Sequence, residues 1–167
     1  MPALILFRHG KSDWDAADAG DDRARPLARR GRKAAERMGR FLARAGQVPD
    51  VAITSPALRA AETLRLAMEG GGWSCPVRTA DSLYHGGVSG LLAEVQREPA
   101  ATGLLLAVGH EPTWSAALVE LVGGGGVRFP TAGMARIDFD LDRWADVAPG
   151  TGALAWLVVP RLLSGKG

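Results

Sequence analysis

The chain has a single cysteine in 167 residues, Cys75, so it can form neither an internal disulfide nor a thiolate metal cluster. Ser74 and Pro76 flank it and no histidine lies near, which marks it as a bystander. Long apolar runs are missing too, and none approaches the roughly 18 residues of a membrane-spanning helix. Ala3–Phe7 lacks the basic flank and small-residue cleavage site of a signal peptide. It reads as a strand, and the protein is expected to be cytoplasmic, with no membrane partner. No G-x-x-x-x-G-K-S/T segment occurs, which argues against a nucleoside triphosphatase built on that loop. The Gly123–Gly126 run follows a helical pattern rather than a strand, so it reads as a flexible loop and not a dinucleotide fingerprint. Histidines, cysteine and carboxylates do not gather at ligand spacing, so neither a metal nor another cofactor is expected. Internal repeats and composition-shifted linkers are absent, which leaves one domain over residues 1–167.

Hydrophobic residues make up 47% of the chain and charged ones 23%, enough for one core at this length without disulfides. Net charge is +2 but unevenly spread. Residues 23–44 carry nine basic side chains against Glu36 alone, and the rest of the chain is net acidic. That pattern fits the solvated face of a helix, or a surface for a polar partner, rather than general nucleic-acid binding.

Residues 3–8 are an apolar run broken by His9-Gly10, as in a buried strand that ends in a loop. Residues 11–26 are polar and too long for a turn, the length of a functional loop. From Leu27, small or apolar residues recur at Gly31, Ala34, Met38, Phe41, Leu42 and Ala45, which is helical spacing. Arg29, Arg30, Lys33, Arg37, Arg40 and Arg44 fall on the other side, and Gly46 suits the C-cap. Val51–Thr54 is a second strand. Ser55-Pro56 then reads as N-cap and first helical residue of a helix to about Met68, ended by Gly70–Gly72. Further strands are expected at Pro76–Thr79, Leu104–Val108, Met134–Phe139 and Ala153–Val159, and further helices at Val88–Arg97 and Pro112–Val122. Such alternation predicts an α/β three-layer sandwich around a mostly parallel central sheet.

Three segments share one layout, a short strand with polar residues at its carboxyl end. They are Arg8-His9-Gly10-Lys11-Ser12, Thr54-Ser55-Pro56 with Arg59 a turn further on, and Gly109-His110-Glu111. Ligands of open α/β sheets bind outside the carboxyl ends of the strands, so the three could face one crevice. Two arginines, two histidines and two helix N-termini would suit a dianionic phosphoryl group. Taken singly, each piece has an ordinary structural reading: a histidine at a strand end, an arginine as surface charge.

In order along the chain, Arg8-His9-Gly10, Ser55-Pro56-Ala57-Leu58-Arg59-Ala60-Ala61-Glu62-Thr63 and Gly109-His110 resemble the histidine phosphatase superfamily, also called phosphoglycerate-mutase-like. The small size is similar to that of SixA-type phosphohistidine phosphatases. So are Arg25-Pro26-Leu27 with Arg30-Gly31, Ser82-Leu83-Tyr84, Gly109-His110-Glu111-Pro112 and Phe129-Pro130-Thr131-Ala132-Gly133. The resemblance runs from about residue 4 to residue 139. It implies a phosphoglycerate-mutase-like fold, here without room for a large lid, and a covalent phosphohistidine mechanism. His9 would be the nucleophile, with Arg8, Arg59 and His110 clamping the phosphoryl oxygens and Ser12 adding a hydroxyl. Physical chemistry agrees with that allocation. Nearby cations disfavour imidazolium and keep His9 nucleophilic, and a carbonyl at its second ring nitrogen would fix the tautomer.

The general acid departs from the family pattern. Larger members carry a carboxylate in the segment matching about 81–87, where this chain offers Asp81 and His85, each equally readable as a loop residue. Glu111 directly follows His110 and is the third candidate, with a plain helix cap after Pro112 as its alternative. The resemblance implies a metal-independent phosphatase for phosphohistidine on a protein, a signalling phosphotransfer domain among the candidate partners. Two alternatives stay open: a phosphatase for small phosphoesters such as sugar phosphates or nucleotides, and a non-catalytic phosphate-binding adaptor. An adaptor needs only the cations, so the presence of His9 favours the enzyme.

Overall fold

The computed structural model describes residues 1–16 and 20–164; residues 17–19 of the polar loop and 165–167 lie outside the described residues. Six strands form one sheet: β1 (Ala3–Arg8), β2 (Val51–Thr54), β3 (Val77–Thr79), β4 (Leu104–Gly109), β5 (Met134–Phe139) and β6 (Gly152–Val158). Their order is β3-β2-β4-β1-β5-β6. The first four in that order are parallel, and β5 and β6 continue the sheet antiparallel. The helices are α1 (Arg29–Arg44), α2 (Leu58–Gly71), α3 (Ser82–His85), α4 (Gly87–Val95) and α5 (Thr113–Val122). The expected α/β architecture is present.

Strand β1 shows why the sheet is covered on both faces. Ile5 and Phe7 pack with Met38 and Leu42 of α1 and Leu64 of α2. Leu4 and Leu6 pack on the other face with Leu91 and Val95 of α4 and Trp114 and Leu118 of α5. All four β1 side chains are fully buried, which is why the strand reads as an unbroken apolar run rather than an alternation. Among the described residues no helix is long and apolar enough to cross a membrane.

Two helices start two residues later than the sequence reading, and the other two expected starts move by one. Helix α2 begins at Leu58, not Pro56, with Ala57 as an N-cap that offers no side-chain bond. Ser55 Oγ instead accepts the Ala57 N–H at 3.3 Å and is committed elsewhere, as described below. Helix α1 begins at Arg29 because Leu27 is held back: it bridges to Ser12, and its N–H donates to Glu62 at 2.9 Å. Helix α3 was not foreseen, since a four-residue helix is too short to show periodicity. The glycine run does follow a helix, with Gly123 left-handed at the C-cap of α5.

Candidate active site

Strand register brings the three chemical segments together. Arg8 on β1 is level with Gly109 on β4, and Thr54 on β2 with Val108 on β4. His9 and Ser55 leave the sheet beside that central strand, their N–H groups donating to the Gly109 and Val108 carbonyls, each at 3.0 Å. A cavity of about 230 Å³ opens at this edge. Arg8, His9, Ser12, Arg59, His110 and Glu111 all line it, as do Lys11, Trp14, Arg25 and Thr131.

His9 is only 8% exposed. Its Nδ1–H donates to the Gly10 carbonyl at 2.7 Å. That bond places the proton on Nδ1, so Nε2 keeps its lone pair and has no hydrogen-bond partner among the described residues. Burial is the main reason the imidazole pKa falls to about 3; the Gly10 bond opposes the fall, while His110, Arg59 and Arg8 reinforce it. His9 is therefore neutral near pH 7. The loop is held by Gly10, whose N–H donates to Thr63 Oγ1 at 3.0 Å. A Cβ on Gly10 would lie 2.7 Å from the Gly31 carbonyl oxygen, so only glycine lets this loop pass against α1.

His110 stands 5.1 Å from His9, ring centre to ring centre. Its Nε2 lies 2.7 Å from Ser55 Oγ. Because Ser55 Oγ already accepts the Ala57 N–H, its hydroxyl hydrogen is available to His110 Nε2. With that hydroxyl donating, the His110 proton sits on Nδ1, which is buried with no partner among the described residues. Burial first, and then Arg59, lower the His110 pKa to about 4.

The arginines converge on one carboxylate. Arg59 donates to the Asp22 carbonyl at 2.7 Å and to Asp22 Oδ2 at 2.9 Å, and Arg25 donates to Asp22 Oδ1 at 2.9 Å. Tyr84 OH adds a bond to Asp22 Oδ2 at 2.8 Å. Partial burial alone would raise the Asp22 pKa, but the Tyr84 and Arg59 bonds reverse this and hold it below the usual value. Arg8 reaches across to the Phe129 carbonyl at 2.7 Å. Among the described residues, four nitrogens of these arginines stay buried without any partner: Arg8 Nε, Arg25 Nε and Nη1, and Arg59 Nε. With His110 Nδ1 they make five partnerless donors on residues bordering one small cavity. Donors left unpaired in low dielectric are costly, and a tetrahedral oxyanion would satisfy them.

The three candidates for general acid separate in space. Glu111 lines the cavity, but its carboxylate also caps α5, accepting the Ser115 N–H at 2.8 Å and the Ser115 hydroxyl. Asp81 and His85 do not line the cavity. Both turn to Arg23, His85 Nε2 accepting from it at 2.8 Å and Asp81 pairing with it at 3.6 Å. Among the described residues no group of three His, Cys, Asp or Glu could hold a metal ion. The sequence reading missed Asp22, and it quoted Thr63 without the role of holding the Gly10 N–H. Asp22 sits in an Asp-rich loop with no periodicity, and nothing local distinguishes it from Asp21.

Comparison with known proteins agrees with this geometry. The family model of the histidine phosphatase superfamily, branch 1, matches residues 4–101. An uncharacterized protein of Mycobacterium tuberculosis is 35% identical over 165 residues, covering 93% of this chain and 100% of that protein. A Nakamurella multipartitia structure, proposed to be a phosphohistidine phosphatase SixA, superposes with a TM-score of 0.81 at 32% identity, covering 95% of this chain and 96% of the other. The protein histidine phosphatase SixA, solved with tungstate, gives a TM-score of 0.83 at 24% identity, with 97% and 99% covered.

Proposed function

Since the chain belongs to the histidine phosphatase superfamily, branch 1, we propose that it is a metal-independent phosphatase working through a phosphohistidine on His9, and that its substrate is phosphohistidine on a protein. One observation carries this reading: among the described residues, five buried, partnerless N–H donors sit on residues that border the same cavity as a neutral imidazole whose Nε2 has no partner.

The His9 Nε2 lone pair attacks phosphorus while the bond from phosphorus to the substrate's leaving nitrogen breaks. That nitrogen takes the electron pair, and a proton on the other ring nitrogen lets it leave as neutral imidazole. Arg8, Arg59 and His110 Nδ1–H hold the non-bridging oxygens, with Arg25 behind them and Ser12 at the rim. Such transfers pass through a loose transition state, so positioning and charge stabilisation supply most of the rate. Water then attacks the phosphorus on His9, the P–N bond breaks, phosphate leaves, and the imidazole returns to its neutral form. The Gly10 carbonyl holds Nδ1–H throughout and stabilises the positive charge of phosphorylated His9.

The substrate class follows from size and leaving group. A cavity of about 230 Å³ falls below the roughly 300–1,000 Å³ of small-molecule sites, so it takes a phosphoryl group and leaves the rest of the substrate outside. An alkyl phosphoester would also need a proton for its alkoxide. Among the described residues Glu111 is the one carboxylate lining the cavity, and both its oxygens are engaged by Ser115. Imidazole leaves without that help, which favours phosphohistidine. The name of the Nakamurella neighbour points the same way.

The test is a phosphoenzyme. A reactive phosphodonor should label the wild type with acid-labile, base-stable phosphate, unaffected by a chelator, and should not label His9→Ala. Label that persists in His9→Ala removes His9 from the reaction. A panel of phosphohistidine peptide, phosphoserine peptide, sugar phosphates and p-nitrophenyl phosphate then ranks the substrates.

A further inference from the structure

A second concavity is larger than the catalytic one. A groove of about 1160 Å³ runs between α1 and the C-terminal segment, and shares Lys11 and Thr131 with the His9 cavity. Arg29, Arg30, Lys33 and Arg37 of α1 form one wall, and Arg128 and Arg161 stand on the other side. Its apolar lining comes from Ala34, Pro130, Leu157, Val159 and Pro160. No carboxylate lines it among the described residues, and none of its seven cations is in an ion pair there. Elsewhere most arginines are paired: Arg23, Arg25, Arg32, Arg59, Arg65 and Arg78 each have a carboxylate within 4.0 Å.

Helix α1 breaks a local rule to build this wall. Its first turn contains no acidic residue and its N-cap makes no side-chain bond, yet Arg29 and Arg30 sit there. Cations at the positive end of a helix dipole oppose helix formation, and folding alone gives them no compensation. A bound anion would relieve both the dipole and the mutual repulsion. Among the described residues no aromatic side chain lines the groove, so it lacks the stacking platforms on which single-stranded nucleic acids and free bases bind. Apolar lining between cationic walls suits a peptide with alternating acidic and apolar side chains.

Resting on the phosphatase reading above, we infer that this groove docks a carboxylate-rich segment of the phosphoprotein substrate, next to the phosphoryl group at His9. The phosphoryl group sits in the small cavity, and acidic residues flanking the phosphorylated side chain cross Lys11 into the groove. The segment sets KM, while the cavity sets the chemical step.

Phosphohistidine peptides flanked on both sides by Asp-Leu repeats, or by Asn-Leu repeats, are compared on wild type and on Arg30→Glu/Lys33→Glu. Both positions are exposed and face no catalytic group, and acidic residues suit the start of α1, so this variant should melt no lower than wild type. Wild type should favour the acidic peptide about tenfold in kcat/KM, carried by KM and reduced by salt. The variant should lose that preference while turning over p-nitrophenyl phosphate at the wild-type rate. Equal kcat/KM for the two peptides on wild type overturns the docking proposal and leaves the phosphatase reading intact. Anisotropy with unphosphorylated acidic peptide separates the converse case. Binding to wild type and not to the variant, with no hydrolysis of any phosphopeptide, supports the groove and rejects the reaction. Displacement of that peptide by single-stranded RNA at lower concentration than by unlabelled peptide assigns the groove to nucleic acid and overturns the proposal.

Discussion

Replacing His9 by Asn should flatten the acid limb of the stability curve. In the folded protein the His9 pKa is pushed down to about 3 from an ordinary value of 6.5, chiefly by burial. The unfolded chain therefore takes up a proton as pH falls through 6.5, while the folded chain refuses it until about pH 3. Stability associated with neutral His9 is complete above pH 6.5 and drains away between 6.5 and 3. One pKa unit corresponds to about 1.4 kcal/mol, so the loss from this one residue between pH 7 and pH 5 is about 2 kcal/mol. Asn at position 9 can still donate its side-chain N–H to the Gly10 carbonyl but does not titrate. Urea denaturation of both proteins at pH 7 and pH 5 isolates the term, since all other groups contribute to both curves. The wild type should lose about 2 kcal/mol more than His9→Asn over this interval. Parallel losses would mean that His9 titrates normally in the folded protein, and the neutral buried nucleophile would have to be abandoned.

Other substitutions probe the anion site. Arg59→Ala, which removes a buried partner of Asp22 at the cavity, should lower kcat on p-nitrophenyl phosphate by about 10²–10³, whereas exposed Arg44→Ala should leave it near wild type; comparable kinetic losses would show the pocket to be misplaced. Because Ser115 engages both Glu111 oxygens, Glu111→Gln should cost every substrate the same small loss, tracking a lower melting temperature. A loss of about 10²–10⁴ confined to alkyl phosphoesters would instead make Glu111 their general acid and remove this support for phosphohistidine. Asp22→Asn removes the negative charge that engages Arg25 and Arg59, so inorganic phosphate should inhibit about tenfold more strongly, read as a lower inhibition constant on p-nitrophenyl phosphate. An unchanged constant would show that Asp22 does not compete with the substrate for those arginines.

The sequence by itself determined whatever depends on near neighbours. Apolar residues 3–7 marked β1 because a doubly covered strand needs both side-chain rows apolar, and helical spacing marked α1 because one face packs on the sheet. His9 and its tautomer were also local, since the carbonyl that holds Nδ1 belongs to the next residue. Glu111 as a cap was equally near at hand, four residues from Ser115. Ser55 shows where local reading stopped. Its Ser-Pro signal predicted a helix cap, but β2 lies beside β4, and so its hydroxyl meets His110, 55 residues away. Asp22 joins Arg59 and Tyr84 from 37 and 62 residues away, a meeting that no periodicity encodes. The same holds for the basic groove: α1 alone read as a solvated face, and only the position of Arg128 and Arg161 across from it made a channel. Periodicity records which way a side chain faces within its own element. Which element stands opposite is set by strand order and register, and those follow from burying the whole chain at once.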